Sequence, residues 1–424
     1  MIDFASALYL GLRHPARALG DYAALTSGHP AALAASPLAR QVSADAAALQ
    51  GSEAGMVAPS TLHLAIDVFD ALGRTHVLIA DEALYPVMRW GIERARGLGA
   101  PVAWFRQGDL GEIARLVGRR CQRRPAPGQG GRRGEPPDEP RGVQHAVQHG
   151  APRGERHEGP ADWPARPPAL VTDATRADGS PVPLPHYLQL VQRHGGLVVI
   201  DHSQMLGLMG ARPSSAMPWG AGGGGALQYA HRAHTGRAAQ VLLLASWAKA
   251  FGAPLATLCG PLDLVRAVAR DGPTQVHSST ASQAALLAAR RALALNRRDG
   301  ESLRARLWRL LCRLRAGWQW LARTHLPDLH MPVRDHPLQQ VRLESAARTL
   351  ALHAGMRAAG FRTALLRQAD GRHALAVIVR ADHAEAEIDA LLAAMANLAP
   401  RLPTPHRSLD ATDPSPSRKE YQHV

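Results

Sequence analysis

The sequence predicts an α/β protein, with a large domain built on a mainly parallel sheet sandwiched by helices and a smaller C-terminal α/β domain. Three observations predict it. Short apolar runs alternate with segments of helical period, which is the rhythm of βα units whose strands are covered on both faces. At 424 residues and 46% hydrophobic composition the chain exceeds one ordinary domain and can bury a large core and a smaller one. Beyond about residue 290 the rhythm gives way to a long helical stretch and then a short αβ group.

Taken in order, residues 1–50 are rich in Ala and Leu with scattered Gly and Pro, which predicts an N-terminal arm of short helices and turns. The large domain is expected over 51–290. Its first units are the strand Met56-Val57-Ala58 with an amphipathic run from Leu62 to Leu72, the strand from His76 to Asp81 with a helix over Pro86 to Leu98, and the strand Pro101 to Phe105. Between about 118 and 168 aliphatic residues almost vanish, so this stretch cannot bury enough surface to fold by itself. It reads as a disordered insertion or as a passage translated out of frame. The pattern resumes at Ala169 to Asp173, with a helix near Leu184 to His194, the strand Gly196 to Asp201, and the strand Gln240 to Ala245. The region 291–400 holds a long helix, broken at Asp299-Gly300, and the small domain, with a strand over Ala374 to Val379 and a closing helix over Ala384 to Leu398. A polar tail, 401–424, is expected to be disordered.

Composition excludes several classes. No apolar run is long enough to cross a bilayer, and the first residues lack a signal-peptide pattern, so a cytoplasmic protein with no membrane partner is expected. Three scattered cysteines form neither a disulfide framework nor a metal-ligand spacing, and no metal is expected. The net charge of +14 is dispersed, and aromatic residues make up only 4%, which argues against nucleic acid.

The distribution of cations is more telling than their number. Of 49 Lys and Arg residues, only Lys249 and Lys419 are lysine. In so arginine-biased a chain, a lysine directly after an apolar strand marks a task arginine cannot perform. A lysine can lose its proton and attack a carbonyl, whereas a guanidinium stays charged. Lys249 lies in Ser246-Trp247-Ala248-Lys249-Ala250-Phe251-Gly252, where Ser246 can hydrogen-bond a phosphate and Gly252 permits close backbone approach. Upstream, Asp201 ends an apolar strand and opens Asp201-His202-Ser203-Gln204-Met205-Leu206-Gly207. A carboxylate there faces the crevice where α/β sheets bind ligands and could pair with a protonated pyridine nitrogen; read alone, a strand-end Asp is more often a helix or turn cap. Ser60 and Thr61 open a helix whose first amides suit an anion, or simply cap it. Tyr85 follows another strand-to-loop transition, where its ring could cover a cofactor or merely pack.

Together these residues resemble the fold-type I pyridoxal-phosphate enzymes (aminotransferase class I/II superfamily), specifically the α-oxoamine synthase group that includes 8-amino-7-oxononanoate synthase. Asp201 to Gly207 is similar to the group's D-[DE]-[AT]-[HQ]-x-x-G, and Ser246 to Gly252 to its [ST]-x-x-K-[AG]-[FL]-G. The resemblance implies the aminotransferase fold, pyridoxal 5'-phosphate on Lys249, and Asp201 at its ring nitrogen. It implies that Ser60, Thr61, Ser246 and Ser279 serve the phosphate, Ser279 across a homodimer interface, that Tyr85 stands where a histidine usually stacks, and that Gln204 contacts the cofactor. The activity implied is condensation of an amino acid with an acyl-CoA through an external aldimine. The sequence departs from the group at Gln204, where synthases generally carry histidine, and at Ala376, where they place an arginine for the substrate carboxylate; Arg372 and Arg380 are out of register with that position. An aminotransferase acting on another amine, and a noncatalytic protein retaining the fold, are the alternatives.

Overall fold

In the computed structural model, the described residues are 1–33, 35–118, 166–230, 240–367 and 371–404. The anomalous stretch over 118–168 and the tail over 401–424 therefore fall almost wholly outside the described residues, as do Lys419 and Cys121.

A seven-stranded sheet organises the molecule. Its strands are β2 (Ala54–Ala58), β3 (Val77–Asp81), β4 (Val102–Phe105), β5 (Pro168–Asp173), β6 (Leu197–Asp201), β7 (Gln240–Ser246) and β8 (Ala256–Gly260), in the order β2-β8-β7-β6-β5-β3-β4. Five of them, from β7 to β4, are mutually parallel, and β8 runs antiparallel between β7 and β2. Strands buried on both faces read as continuous apolar runs, which is why they stand out in the sequence.

The two-residue alternation of the strands divides the core. Leu78, Ala80, Ala169, Val171, Leu197, Val199, Leu242 and Leu244 pack on one face with α2 (Thr61–Gly73), α3 (Pro86–Gly97) and α7 (Leu262–Asp271). Val77, Ile79, Leu170, Val198, Ile200, Leu243 and Ala245 point to the other face, covered by α1 (Pro37–Gln50), α4 (Leu110–Gly118), α5 (Leu184–Gln192) and the first part of α9 (Gln283–Thr324). The short helices α6 (Ala226–Ala230) and α8 (Pro273–His277) complete the large sheet's surroundings.

The second body is a three-stranded antiparallel sheet, β11-β12-β9, made of β9 (Leu338–Val341), β11 (Ala364–Arg367) and β12 (His373–Ile378), with α10 (Ala346–Ala358) and α11 (Glu385–Leu398). Beside it, β1 (Ile2–Asp3) pairs in parallel with β10 (Phe361–Arg362).

Two local expectations change. The arm is more ordered than a set of short helices, since α1 is a 14-residue helix capped by Ser36 Oγ and ended by Gly51 at φ 71°. The long helix does not break at Asp299-Gly300; α9 runs unbroken for 42 residues. Gly300 instead makes room for Arg304, which is buried, ion-paired to Glu301 at 2.9 Å, and reaches back to the Gly207 carbonyl at 2.9 Å.

Candidate active site

The strand ends set the site. Asp173 and Asp201 are cross-strand partners at the carboxyl ends of β5 and β6. By the alternation described above, both share the face of Val171 and Val199, toward α2 and α3, and Ser246 at the end of β7 has the same parity. Asp81, at the end of β3, has the opposite parity and lies among acceptor-saturating partners: Ala83 N–H at 2.8 Å, Gln107 Nε2 at 3.1 Å and Thr172 Oγ1 at 3.3 Å. His202, one residue past β6, also turns to the other face and meets Gln50 Oε1 of α1 at 2.9 Å.

Lys249 enters this face from the turn after β7. Its ammonium lies 5.7 Å from the centroid of the Tyr85 ring. Burial pulls its pKa below the usual lysine value, and the nearby Asp201 and Asp173 carboxyls oppose that shift without cancelling it. Such an amine loses its proton more readily than a surface lysine, which is the property a carbonyl-attacking nucleophile needs.

The two motifs hold one another. Ser246 N–H donates to Ser203 Oγ at 2.8 Å, and Ser203 N–H donates to Asp201 Oδ1 at 2.8 Å. Gly207, at φ 80°, would bring an added Cβ to 2.8 Å from Ala250 Cβ. Gly252, at φ 61°, passes against the Leu12 carbonyl of the arm, so its close approach is to this chain's own backbone.

Ser60 is the N-cap residue of α2, yet its hydroxyl faces His63 Nδ1 at 2.8 Å rather than capping the helix. The first turn, with Thr61 at its start, thus keeps its positive end uncapped by that side chain. Tyr85 is the N-cap residue of α3, and its backbone N–H donates to Asp173 Oδ2 at 2.8 Å. Gln204 lies against the arm: its Oε1 accepts the Tyr9 hydroxyl, and its carbonyl faces Nε2 of the buried His336 at 3.2 Å. Leu338 N–H donates to His336 Nδ1 at 3.1 Å, so the ring carries its proton on Nε2 and has both nitrogens engaged. Burial lowers the His336 pKa to about 4.

The structure therefore brings Lys249, Asp201, Tyr85, Gln204 and Ser246 together around the ends of β5 to β7, with Ser60 and Thr61 heading the helix on the same face. Ser279 is exposed and joined through a β-bridge to Pro30; no described contact links it to Lys249. Three neighbours went unnoticed in the sequence: Asp173, Tyr9 and His336. Asp173 carried a usable signal, since Val171-Thr172-Asp173 ends its strand as Val199-Ile200-Asp201 does. Tyr9 and His336 come from distant segments with no local signature. Neither arginine considered for the Ala376 position is at this group. Arg380 is tied to Asp3 at 3.1 Å and Asp382 at 2.8 Å, and Arg372 lines a cleft of about 320 Å³ with Asp328, His330, Arg342 and Glu344.

This arrangement suits pyridoxal phosphate. A half-buried amine, a strand-end carboxylate on the same face, and an uncapped helix start are groups that could hold it at three points.

The fold is similar to that of solved structures of serine palmitoyltransferase and 8-amino-7-oxononanoate synthase. Serine palmitoyltransferase from Sphingomonas wittichii superposes with a TM-score of 0.70 over 95% of this chain and 88% of its own, at 15% identity. The 8-amino-7-oxononanoate synthase of Francisella tularensis gives 0.62 over 94% and 98%, at 13% identity. Residues 170–353 match the family model "Aminotransferase class I and II". In sequence the chain is similar to 8-amino-7-oxononanoate synthases from Anaeromyxobacter dehalogenans strain 2CP-C, 31% identical over 243 residues, and Halorhodospira halophila, 28% identical over 264. These alignments span 56% and 60% of this chain and 56% and 61% of the two relatives, little more than half of each protein. Among the described residues, no helix is long and apolar enough to cross a membrane, and no group of His, Cys, Asp and Glu could hold a metal.

Proposed function

We propose that the chain is a pyridoxal-phosphate-dependent transferase of the α-oxoamine synthase type, joining an amino acid to an acyl-CoA. It works as a cytoplasmic homodimer on small molecules. When bound, the cofactor supplies an electron-accepting ring that stabilises negative charge on a substrate carbon.

This chain's residues supply the rest. Lys249 holds the cofactor and carries protons at Nζ; its burial keeps the amine close to deprotonation. Asp201 pairs with the ring nitrogen and keeps it protonated. Tyr85 covers the ring, and the start of α2, with Ser60, Thr61 and Ser246, holds the phosphate. Ser279 reaches the phosphate across the homodimer interface. The Tyr9 hydroxyl occupies Gln204 Oε1, so the Gln204 amide presents its N–H groups as donors.

The observation that carries this reading is Lys249 itself, a half-buried lysine whose amine lies 5.7 Å from the Tyr85 ring centroid and is shifted toward its neutral form beside two strand-end carboxyls. The test is borohydride reduction of the protein after incubation with pyridoxal phosphate, followed by peptide mass spectrometry. Label on Lys249, absent from Lys249→Arg, supports the reading; label confined to Lys419, or none in folded protein, removes it. Transamination of an amine without a carboxylate is the second reading, favoured by Ala376, which is fully buried on β12 where the synthase group places its arginine. Conversion of the loaded protein to the pyridoxamine form by an amine donor selects that reading over condensation.

A further inference from the structure

Three carboxyl groups end adjacent parallel strands, and their surroundings differ. Asp81 accepts three hydrogen bonds on the far face of the sheet. Asp201 accepts Ser203 N–H. Asp173 accepts Tyr85 N–H at Oδ2, while its Oδ1 is buried with no hydrogen-bond partner. A buried carboxylate oxygen lacking any donor is costly, whereas a carboxylic acid O–H aimed into a ligand crevice is a donor awaiting an acceptor.

We infer that Asp173 is a positioning residue that bears a proton, anchoring Tyr85 through Oδ2 and presenting an O–H at Oδ1 to an acceptor atom of the ligand held at Lys249. The inference rests on the proposed function for the identity of that ligand, but the proton on Asp173 stands apart from it. Asp201 on β6 and Lys249 after β7 act on Asp173 from its own face, the Tyr85 N–H before α3 bonds it directly, and the charge of Asp81 on β3 reaches it from the other face. Burial and the two neighbouring carboxyls favour its neutral form; the Tyr85 N–H that it accepts and the Lys249 amine oppose them without reversing the balance. Two in-register carboxyls thus divide the work. Asp201 supplies the negative partner for a ring nitrogen, and Asp173 supplies a neutral donor and fixes the stacking residue. An acid kept neutral by its site can donate a hydrogen bond that a carboxylate cannot.

The test uses the full chain as wild type, Asp173→Asn, Asp173→Ala and Asp201→Asn. Infrared difference spectra near neutral pH, without cofactor, are expected to show a protonated-carboxyl stretch that disappears in Asp173→Asn and persists in Asp201→Asn. With pyridoxal phosphate added, Asp173→Asn, which preserves both the acceptor and a donor, is expected to bind about as well as wild type. Asp173→Ala should bind about tenfold or more weakly, and Asp201→Asn should lose the protonated-ring spectrum. Absence of an Asp173-dependent infrared band, or an Asp173→Asn variant as impaired as Asp201→Asn, would overturn the inference. Should the wild type take up no cofactor, the functional reading fails, and the infrared result still decides whether Asp173 carries the proton.

Discussion

Lys249 shows how far single residues can be read. Its scarcity in an arginine-rich chain and its place after an apolar strand mark it in the sequence, and in the structure desolvation lowers its pKa beside Asp201. Because Asp201 raises the lysine pKa against the effect of burial, Asp201→Asn should lower it further. Reductive ¹³C-methylation suits the measurement, since the chain has only two lysines and hence two side-chain signals. A Lys249 titration that moves upward in Asp201→Asn would contradict the arrangement described. The Asp201 and Lys249 motifs were legible because each is continuous in sequence. Tyr9 was not, because its role depends on Gln204, 195 residues away. Gly252 was legible as a close approach, but its neighbour, the Leu12 carbonyl, depends on how the arm lies.

Among the elements, the pair α2 and α3 positions the site, since one begins with Ser60 and Thr61 and the other with Tyr85. The two helices meet at Gly91, where an added Cβ would lie 2.8 Å from the Ala65 carbonyl oxygen and 2.9 Å from Phe69 Cδ2. Helix propensity alone gives Gly91→Ala a gain of about 1 kcal/mol. Packing reverses the sign, because the obstruction is partly backbone and α3 must shift away; a loss of about 1–3 kcal/mol is expected. Urea denaturation checks the stability, and a weakened affinity for pyridoxal phosphate checks the displacement of Tyr85 relative to Ser60. Six of the seven strands of the large sheet were legible as apolar runs; β8, with Thr257 inside it and Gly260 at its end, was not read as a strand. The edge pairing of β2 with β8 was not legible either, since antiparallel insertion of β8 beside β7 is a matter of topology and not of local pattern. Gly300 misled for a related reason: an intrinsic helix breaker was retained to admit a buried arginine.

At the scale of the whole molecule, buried histidines make stability depend on pH. Burial lowers the pKa of His202 to about 3 and of His336 to about 4. Below about pH 6.5 the unfolded chain therefore binds protons that the folded chain refuses, so stability falls as pH drops, by up to about 1.4 kcal/mol per pH unit for each ring. Asp173 acts oppositely, because its raised pKa stabilises the fold on the acid side and that contribution is lost as pH rises through its folded value. Urea midpoints between about pH 4.5 and 6.5 should rise with pH in wild type, more steeply in Asp173→Asn, and less steeply in His202→Gln. An Asp173→Asn profile shallower than wild type would contradict the assignment of that carboxyl. Within the small sheet, β12 was legible as the apolar run ending at Val379, whereas the pairing of the arm with β10 through Ile2 and Phe361 carries no signal in either segment.

That parallel pairing of β1 with β10 sets a schedule for assembly. Ile2 leaves the ribosome about 360 residues ahead of its partner, roughly 20–70 s earlier at ordinary elongation rates. β2 likewise waits for β8, about 200 residues downstream, before it has any neighbour in the sheet. During that interval the strand leading to Ser60 exposes unpaired backbone, a template for wrong pairing. β2 can take its place in the sheet only after residue 260 has emerged, so the start of α2 that follows it is fixed late in assembly.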